Sequence, residues 1–169
     1  MIVLETERLV LRHVTETDAP FMLELLNDPA FLRFVGDRGV RTLEDARRYI
    51  RERHLEAYRH NGFGFYLVEL KETGTPVGTC GLVRREGLSG PDVGFAFLPD
   101  YRGRGYGFES ARAVLDYARE TYGVRRVFAI TSPDNDASGA LLGKLGLKFE
   151  RMMKLPGEDE EVKLFAADL

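Results

Sequence analysis

The chain predicts an α+β fold, a mixed sheet with about four helices, and three observations carry that prediction. Aromatic and β-branched runs crowd its middle: Gly62–Leu70 (GFGFYLVEL), Pro76–Val83 (PVGTCGLV) and Asp92–Leu98 (DVGFAFL). Amphipathic helical patterns lie on both sides of them. One of those helices joins two strands, and such a crossover makes the pair parallel.

Each element has its own warrant. Thr6–Val14 alternates, with Leu9 and Leu11 opposed by Arg8 and Arg12, and reads as a first strand. Thr17 reads as an N-cap, with Asp18 and Pro20 in the first turn of a helix to about Leu26, stopped by Asn27-Asp28-Pro29. A second helix starts after Thr42 and runs to about Arg59, with Glu44 and Asp45 at its positive end. Lys71-Glu72-Thr73-Gly74 marks a hairpin between the first two middle runs. Beyond Arg102–Gly107, the residues Phe108, Ala111, Leu115, Ala118 and Tyr122 recur at helical steps, and Gly123 closes that helix. Arg125–Thr131 is the parallel strand, and Asn135–Leu145 is a short helix stopped by Gly146. Lys148–Leu155 and Val162–Ala167 flank Pro156-Gly157 and end the chain as an antiparallel pair.

Composition narrows the function. At 169 residues with 44% apolar and 30% charged side chains, the expectation is one soluble, cytoplasmic domain spanning residues 1–169. No apolar stretch approaches the ~18 residues that cross a bilayer, and Glu5, Glu7 and Arg8 stand where a signal peptide is apolar. Cys80 alone makes no internal disulfide, and it reads as a buried apolar thiol. Three scattered histidines, His13, His54 and His60, make no metal cluster, so no metal is expected. A net charge of −3 argues against general nucleic-acid binding. Seven arginines fall between Arg38 and Arg59, but Glu44, Asp45, Glu52 and Glu56 interleave with them as on a solvated helix.

The chemistry concentrates at Arg102-Gly103-Arg104-Gly105-Tyr106-Gly107. Glycines between a strand and a helix start let backbone N–H groups converge on an anion, and the helix adds about half a positive charge. Arg102 and Arg104 can add full charges. The loop is not a Walker A motif, because Gly107-Phe108-Glu109 supplies neither its lysine nor its hydroxyl. A dinucleotide fingerprint fails too: Phe108 stands at the third glycine, and Arg125 and Arg126 replace the later acid.

Arg102-x-x-Gly105-x-Gly107 resembles the pyrophosphate loop of the GNAT superfamily of acyl-CoA-dependent N-acyltransferases. Asn135-x-x-Ser138 followed by Lys144-Leu145-Gly146-Leu147 resembles the later signature of that family. Glu5-Thr6-Glu7-Arg8-Leu9-Val10-Leu11-Arg12 and Asn27-Asp28-Pro29 look like the branch that acetylates ribosomal-protein N-termini. The resemblance implies a mostly antiparallel sheet of about six to seven strands, splayed at its one parallel pair. It also implies acetyl-CoA as co-substrate, no metal, and a primary amine as acceptor, on a protein N-terminus or a small molecule. The pantetheine arm would lie along the strand edge at Phe95, Phe97 and Leu98, and the diphosphate on the amides of Arg102, Gly103, Arg104, Gly105, Tyr106 and Gly107. Asn135 would bond the arm or cap its helix.

Acyl transfer needs a neutral amine, an oxyanion contact and a proton for the thiolate. The resemblance implies a backbone N–H near Phe97 for the oxyanion. Many members carry a Tyr seven residues after the Asn; here that position is Leu142. Ser138 carries a hydroxyl one turn from Asn135 and is the candidate to relay a proton or bond the sulfur. Asp92, at the start of the cleft strand, is either a base or a solvated strand end. Phe31, Phe34 and Val35, and the acidic turn from Pro156 to Glu161, are candidate acceptor walls. The rival to an enzyme is an acyl-CoA-binding regulatory module that has lost catalysis, which the missing Tyr keeps open.

Overall fold

In the computed structural model, which describes residues 1–169, one sheet is built from eight strands. They are β1 (Ile2–Glu5), β2 (Leu9–Arg12), β3 (Phe65–Leu70), β4 (Pro76–Val83), β5 (Asp92–Phe97), β6 (Arg126–Thr131), β7 (Lys148–Met153) and β8 (Val162–Asp168). Their order is β1-β2-β3-β4-β5-β6-β8-β7. Every neighbouring pair is antiparallel except β5 and β6. The expected α+β class and its one parallel pair are therefore present.

The helices are α1 (Ala19–Leu26), α2 (Pro29–Phe34), α3 (Leu43–Tyr49), α4 (Glu56–Asn61), α5 (Tyr106–Tyr122) and α6 (Asp136–Lys144). A π-helical turn at Ile50–Leu55 joins α3 to α4, so five helical bodies result rather than four. Strand β3 shows how the sheet divides two cores. Its Tyr66 and Val68 pack with Ala111, Val114, Leu115 and Ala118 of α5, while Leu67 packs with Met22 and Leu25 of α1 and Ala46 of α3. The arginine-rich helix is solvated as expected: Arg47, Arg51 and Arg59 meet Glu44, Glu16 and Glu56.

Two expectations need correction. The first strand is not continuous over Thr6–Val14: the chain folds back between β1 and β2. Leu9 N–H donates to Thr6 Oγ1 at 3.0 Å and Thr6 N–H to Leu9 O at 2.9 Å, closing a turn. Glu109 of α5 fastens that turn, accepting from Thr6 Oγ1 (2.5 Å), Arg8 N–H (2.9 Å) and Arg8 Nε (2.7 Å). The capping residue is Thr15 rather than Thr17: it opens the turn that leads into α1, whose own N-cap position is Asp18. Thr15 N–H donates to Asp18 Oδ2 at 2.8 Å, and a short 3₁₀ turn at Glu16–Asp18 precedes the helix.

Glu109 thus pins the N-terminal hairpin to the first turn of α5. Hydrogen bonds to a charged group contribute about 1.5–3 kcal/mol when sheltered, less here because Arg8 is 43% exposed. Glu109→Ala is expected to lower stability by about 1–2 kcal/mol and the thermal midpoint by roughly 2–8 °C. Thermal melts followed by circular dichroism check this, and an unshifted midpoint would show that the brace is not stabilising.

Candidate active site

The parallel pairing of β5 and β6 is limited to Asp92 opposite Phe128, after which the strands part. Leu98 N–H donates to Val77 O of the neighbouring chain segment, and Phe128 N–H to Pro91 O. The pleat alternates, so the even-numbered residues of β5 serve β4 and the odd-numbered ones face β6. Past the parting point, Phe95 and Phe97 therefore turn their amides towards an open gap.

Two cavities meet at that gap. One, of about 840 Å³, is lined by Phe97, Tyr101, the glycine loop and Lys144. The other, of about 480 Å³, is lined by Thr79, Arg85, Thr131, His54 and the acids Glu158, Glu160 and Glu161. Phe95, Ala96, Asn135 and Ser138 line both, and so mark the junction. Phe31, Phe34 and Val35, on and just after α2, also border both. The first is labelled the donor cavity and the second the acceptor cavity, after the roles proposed for them below.

The glycine loop is built to leave amides free. None of the N–H groups from Gly103 to Phe108 meets a backbone carbonyl; pairing resumes with Glu109 N–H to Gly105 O at 3.0 Å. Gly103 and Gly105 sit at φ 72° and 84°, where a side chain strains the backbone. Arg8 braces the loop from outside. Its Nη1 donates to Arg104 O at 2.9 Å, and its guanidinium stacks 4.4 Å from the Tyr106 ring.

The structure redistributes the expected roles. Arg102 lines the donor cavity while its Nε donates to Phe97 O at 2.9 Å and its Nη2 to Asp28 Oδ2 at 2.5 Å. Its charge is spent on the buried Asp28, which also caps α2 by accepting from Phe31 N–H at 3.2 Å. Arg104 has no carboxylate partner; its guanidinium lies 5.9 Å from the Tyr101 ring, and it lines neither cavity. Leu98 lines neither cavity; its side chain is buried with α1 and its N–H is used by Val77. Asn135 caps α6 by accepting from Ser138 N–H at 3.2 Å, and it also borders both cavities. The Ser138 hydroxyl lies at the junction, and Leu142 is buried beside it in the acceptor cavity wall.

Asp92 is not a solvated strand end. It is 1% exposed, pairs with Arg85 at 2.5 Å and lines neither cavity. Burial outweighs Arg85 and pushes its carboxyl up to about 6. Cys80 is fully buried and its thiol is pushed up to about 12, an inert sulfur as expected. Sequence reasoning passed over four residues that matter here: Arg8, Asp28, His54 and Arg85. Arg8 and Asp28 find their partners Glu109 and Arg102 far away in the chain, Arg85 meets Asp92 across a loop, and His54 Nε2 has no partner.

Comparison with known proteins decides the family. Residues 8–148 match the model of the acetyltransferase (GNAT) domain. The chain belongs to the GNAT acetyltransferase family. The uncharacterized N-acetyltransferase YoaA of Bacillus subtilis is 26% identical over 155 residues, covering 90% of this chain and 86% of that protein. An acetyltransferase of Agrobacterium tumefaciens superposes with a TM-score of 0.82 at 26% identity, covering 97% of this chain and 92% of that one. RimL, a ribosomal L7/L12 alpha-N-protein acetyltransferase solved with coenzyme A, shares the fold with a TM-score of 0.85 at 19% identity, over 100% of this chain and 98% of its own.

GNAT enzymes take their acetyl group from acetyl-CoA, and the donor cavity fits that co-substrate. Six consecutive free amides leading into α5, with Arg102 and Lys144 in the cavity wall, suit a diphosphate. The half-apolar gap with unpaired strand amides suits a peptide-like arm. A Cβ on Gly107 would stand 3.0 Å from Leu141 Cδ2, at the cavity wall. Gly107→Val is expected to weaken acetyl-CoA binding more than tenfold while the helical backbone there keeps the fold; calorimetry with circular dichroism checks both.

Asp92 gives a pH signature of its own. Its folded carboxyl, at about 6, lies above the ordinary 3.8, so between those values the native state holds a proton that the unfolded chain has lost. This contribution makes stability fall as pH rises through that window. Asp92→Asn should remove that slope, and denaturant titrations of both proteins from pH 4 to pH 7 would show parallel curves if the reading is wrong.

Proposed function

We propose that this GNAT enzyme acetylates a primary amine that enters through the acceptor cavity and attacks the thioester at the junction by Ser138. The observation that carries the reading is the meeting of two cavities across the parted strands, one walled by free amides and one by acids. Glu158, Glu160 and Glu161 favour an approaching ammonium group. The structural likeness to RimL, and to a putative ribosomal-protein-serine acetyltransferase of Vibrio cholerae, supports a protein N-terminal amine as the first acceptor to test. A small-molecule amine is the second.

The roles follow from placement. The Phe97 N–H faces the gap and would donate to the oxyanion of the tetrahedral intermediate. Ser138 would bond the departing sulfur or relay a proton to it. An α-amino group has a pKa of about 8, so a usable fraction is neutral at pH 7 without a strong base. Asp92 serves by holding Arg85 in the acceptor wall and does not touch the amine.

Ser138→Ala separates chemistry from binding. Its kcat should fall roughly ten- to a thousandfold, about 1.4 to 4 kcal/mol of transition-state stabilisation, with the Kd for acetyl-CoA little changed. Thiol release from acetyl-CoA across peptide and small-molecule amines, with product masses measured, reads both proteins. Acetyl-CoA binding without turnover of any amine by the wild type would overturn the reading, and an unchanged kcat in the variant would remove the serine from it.

A further inference from the structure

Three buried side-chain polar atoms of this chain have no hydrogen-bond partner: His54 Nε2, Tyr66 Oη and Thr131 Oγ1. His54 and Thr131 both line the acceptor cavity, and neither lines the donor cavity. An unpaired buried polar atom is costly, so natural proteins keep few of them. Two around one cavity mark where the polar groups of a ligand belong.

His54 reaches its place through a departure from α-helix. Ala46, Ile50 and His54 are buried and Tyr58 is partly buried, a strict four-residue spacing. Each such step over-rotates an α-helix by about 40°, which would carry the stripe away from the sheet. The wider π turn at Ile50–Leu55 takes that rotation back and keeps His54 inside, 4% exposed. Its Nδ1 lies 3.3 Å from Phe65 O, a group that only accepts. The ring proton therefore sits on Nδ1, and Nε2 presents a lone pair. Burial lowers the imidazole to about 4, so the ring is neutral at physiological pH.

We propose that His54 is a specificity-determining residue: its Nε2 accepts a hydrogen bond from a hydroxyl or amide N–H that the amine substrate carries beside its reacting nitrogen. Thr131 Oγ1, on β6, is a second unpaired polar atom in the lining of the same cavity. This rests on the reading that the second cavity takes the amine. The reacting nitrogen belongs at the junction with Ser138, whereas His54 lines the acceptor cavity alone. The group that His54 takes is therefore a second one. The substrate class is an amino alcohol or a peptide-like amine rather than a bare alkylamine.

Matched amines test it: an alkylamine, the amino alcohol of equal length and a dipeptide amide, each with acetyl-CoA. The wild type is expected to favour the two polar amines. His54→Leu should cut that preference at least tenfold, through KM for the amine, without a lower thermal midpoint. His54→Gln, whose Oε1 also accepts, should recover most of it. In the acetyl-CoA complex of the wild type, the His54 Nε2 resonance in nitrogen NMR should move with the amino alcohol and not with the alkylamine. Equal losses for polar and apolar amines in His54→Leu, or an unmoved Nε2 resonance, would overturn the proposal. If the wild type acetylates none of the three, the transfer reading fails, and the resonance alone decides the role of His54.

Discussion

The site depends on strands β5 and β6 being neighbours at one end only. A parallel pair that continued would consume the odd-numbered amides of β5 and close the gap with ladder hydrogen bonds. Pairing stops after Asp92 and Phe128 instead, and each side of the parting is held by something else. On one side β4 pairs β5 along its whole length; on the other β8 pairs β6 from Arg126 to Thr131. The buried Asp92–Arg85 ion pair stands at the closed end. The gap is thus a rigid feature of a sheet whose two halves are each fully laddered.

Charge is used in an unexpected way around this gap. Arg102 spends its guanidinium on Asp28 and on Phe97 O, and Arg8 spends its own on Glu109 and Arg104 O. Both arginines fix the backbone of the glycine loop and leave the anion to the free amides. A preorganised backbone pays no reorganisation cost when a diphosphate arrives, whereas a mobile side chain must be ordered first. Through Asp28, the same contact ties the loop to α2, whose Phe31 and Phe34 border both cavities. Donor and acceptor walls therefore share one buried carboxylate.

Much of this was legible in the sequence because it is local. Strand β4 starts and stops where its run of residues does, and α5 lies between Gly105 and Gly123 as the glycines indicate. Thr42 and Asn135 cap the helices that they precede. The failures come from distant contacts and from weak local signals. The turn between β1 and β2 closes on Thr6 and Leu9 but is fastened by Glu109, more than a hundred residues away, and the alternation of Thr6–Val14 conceals it. Helix α2 buries none of its six residues, which leaves no apolar periodicity to read. The contact of Arg102 with Asp28, 74 residues earlier, is likewise invisible in the local motif, although Arg102 also lines the donor cavity. Leu98 followed Phe97 in a strand pattern, but period two places neighbours on opposite sides of the sheet.

The absence of a tyrosine at Leu142 has a chemical resolution in this arrangement. Attack of a neutral amine on a thioester releases one proton from nitrogen, and the departing thiolate takes up one. The net demand on the protein is a short path between the two atoms rather than a strong acid and a strong base. A hydroxyl that can accept and donate at once satisfies that demand at any pH where it stays protonated. Ser138 stands where the two cavities meet, on a helix whose Asn135 cap fixes its first turn. Neutral His54, farther into the acceptor cavity, adds no positive charge that would repel the incoming ammonium ion, and its lowered basicity keeps it from competing for the proton. On this reading the acids at the rim gather the cationic amine, and the junction itself works with neutral groups.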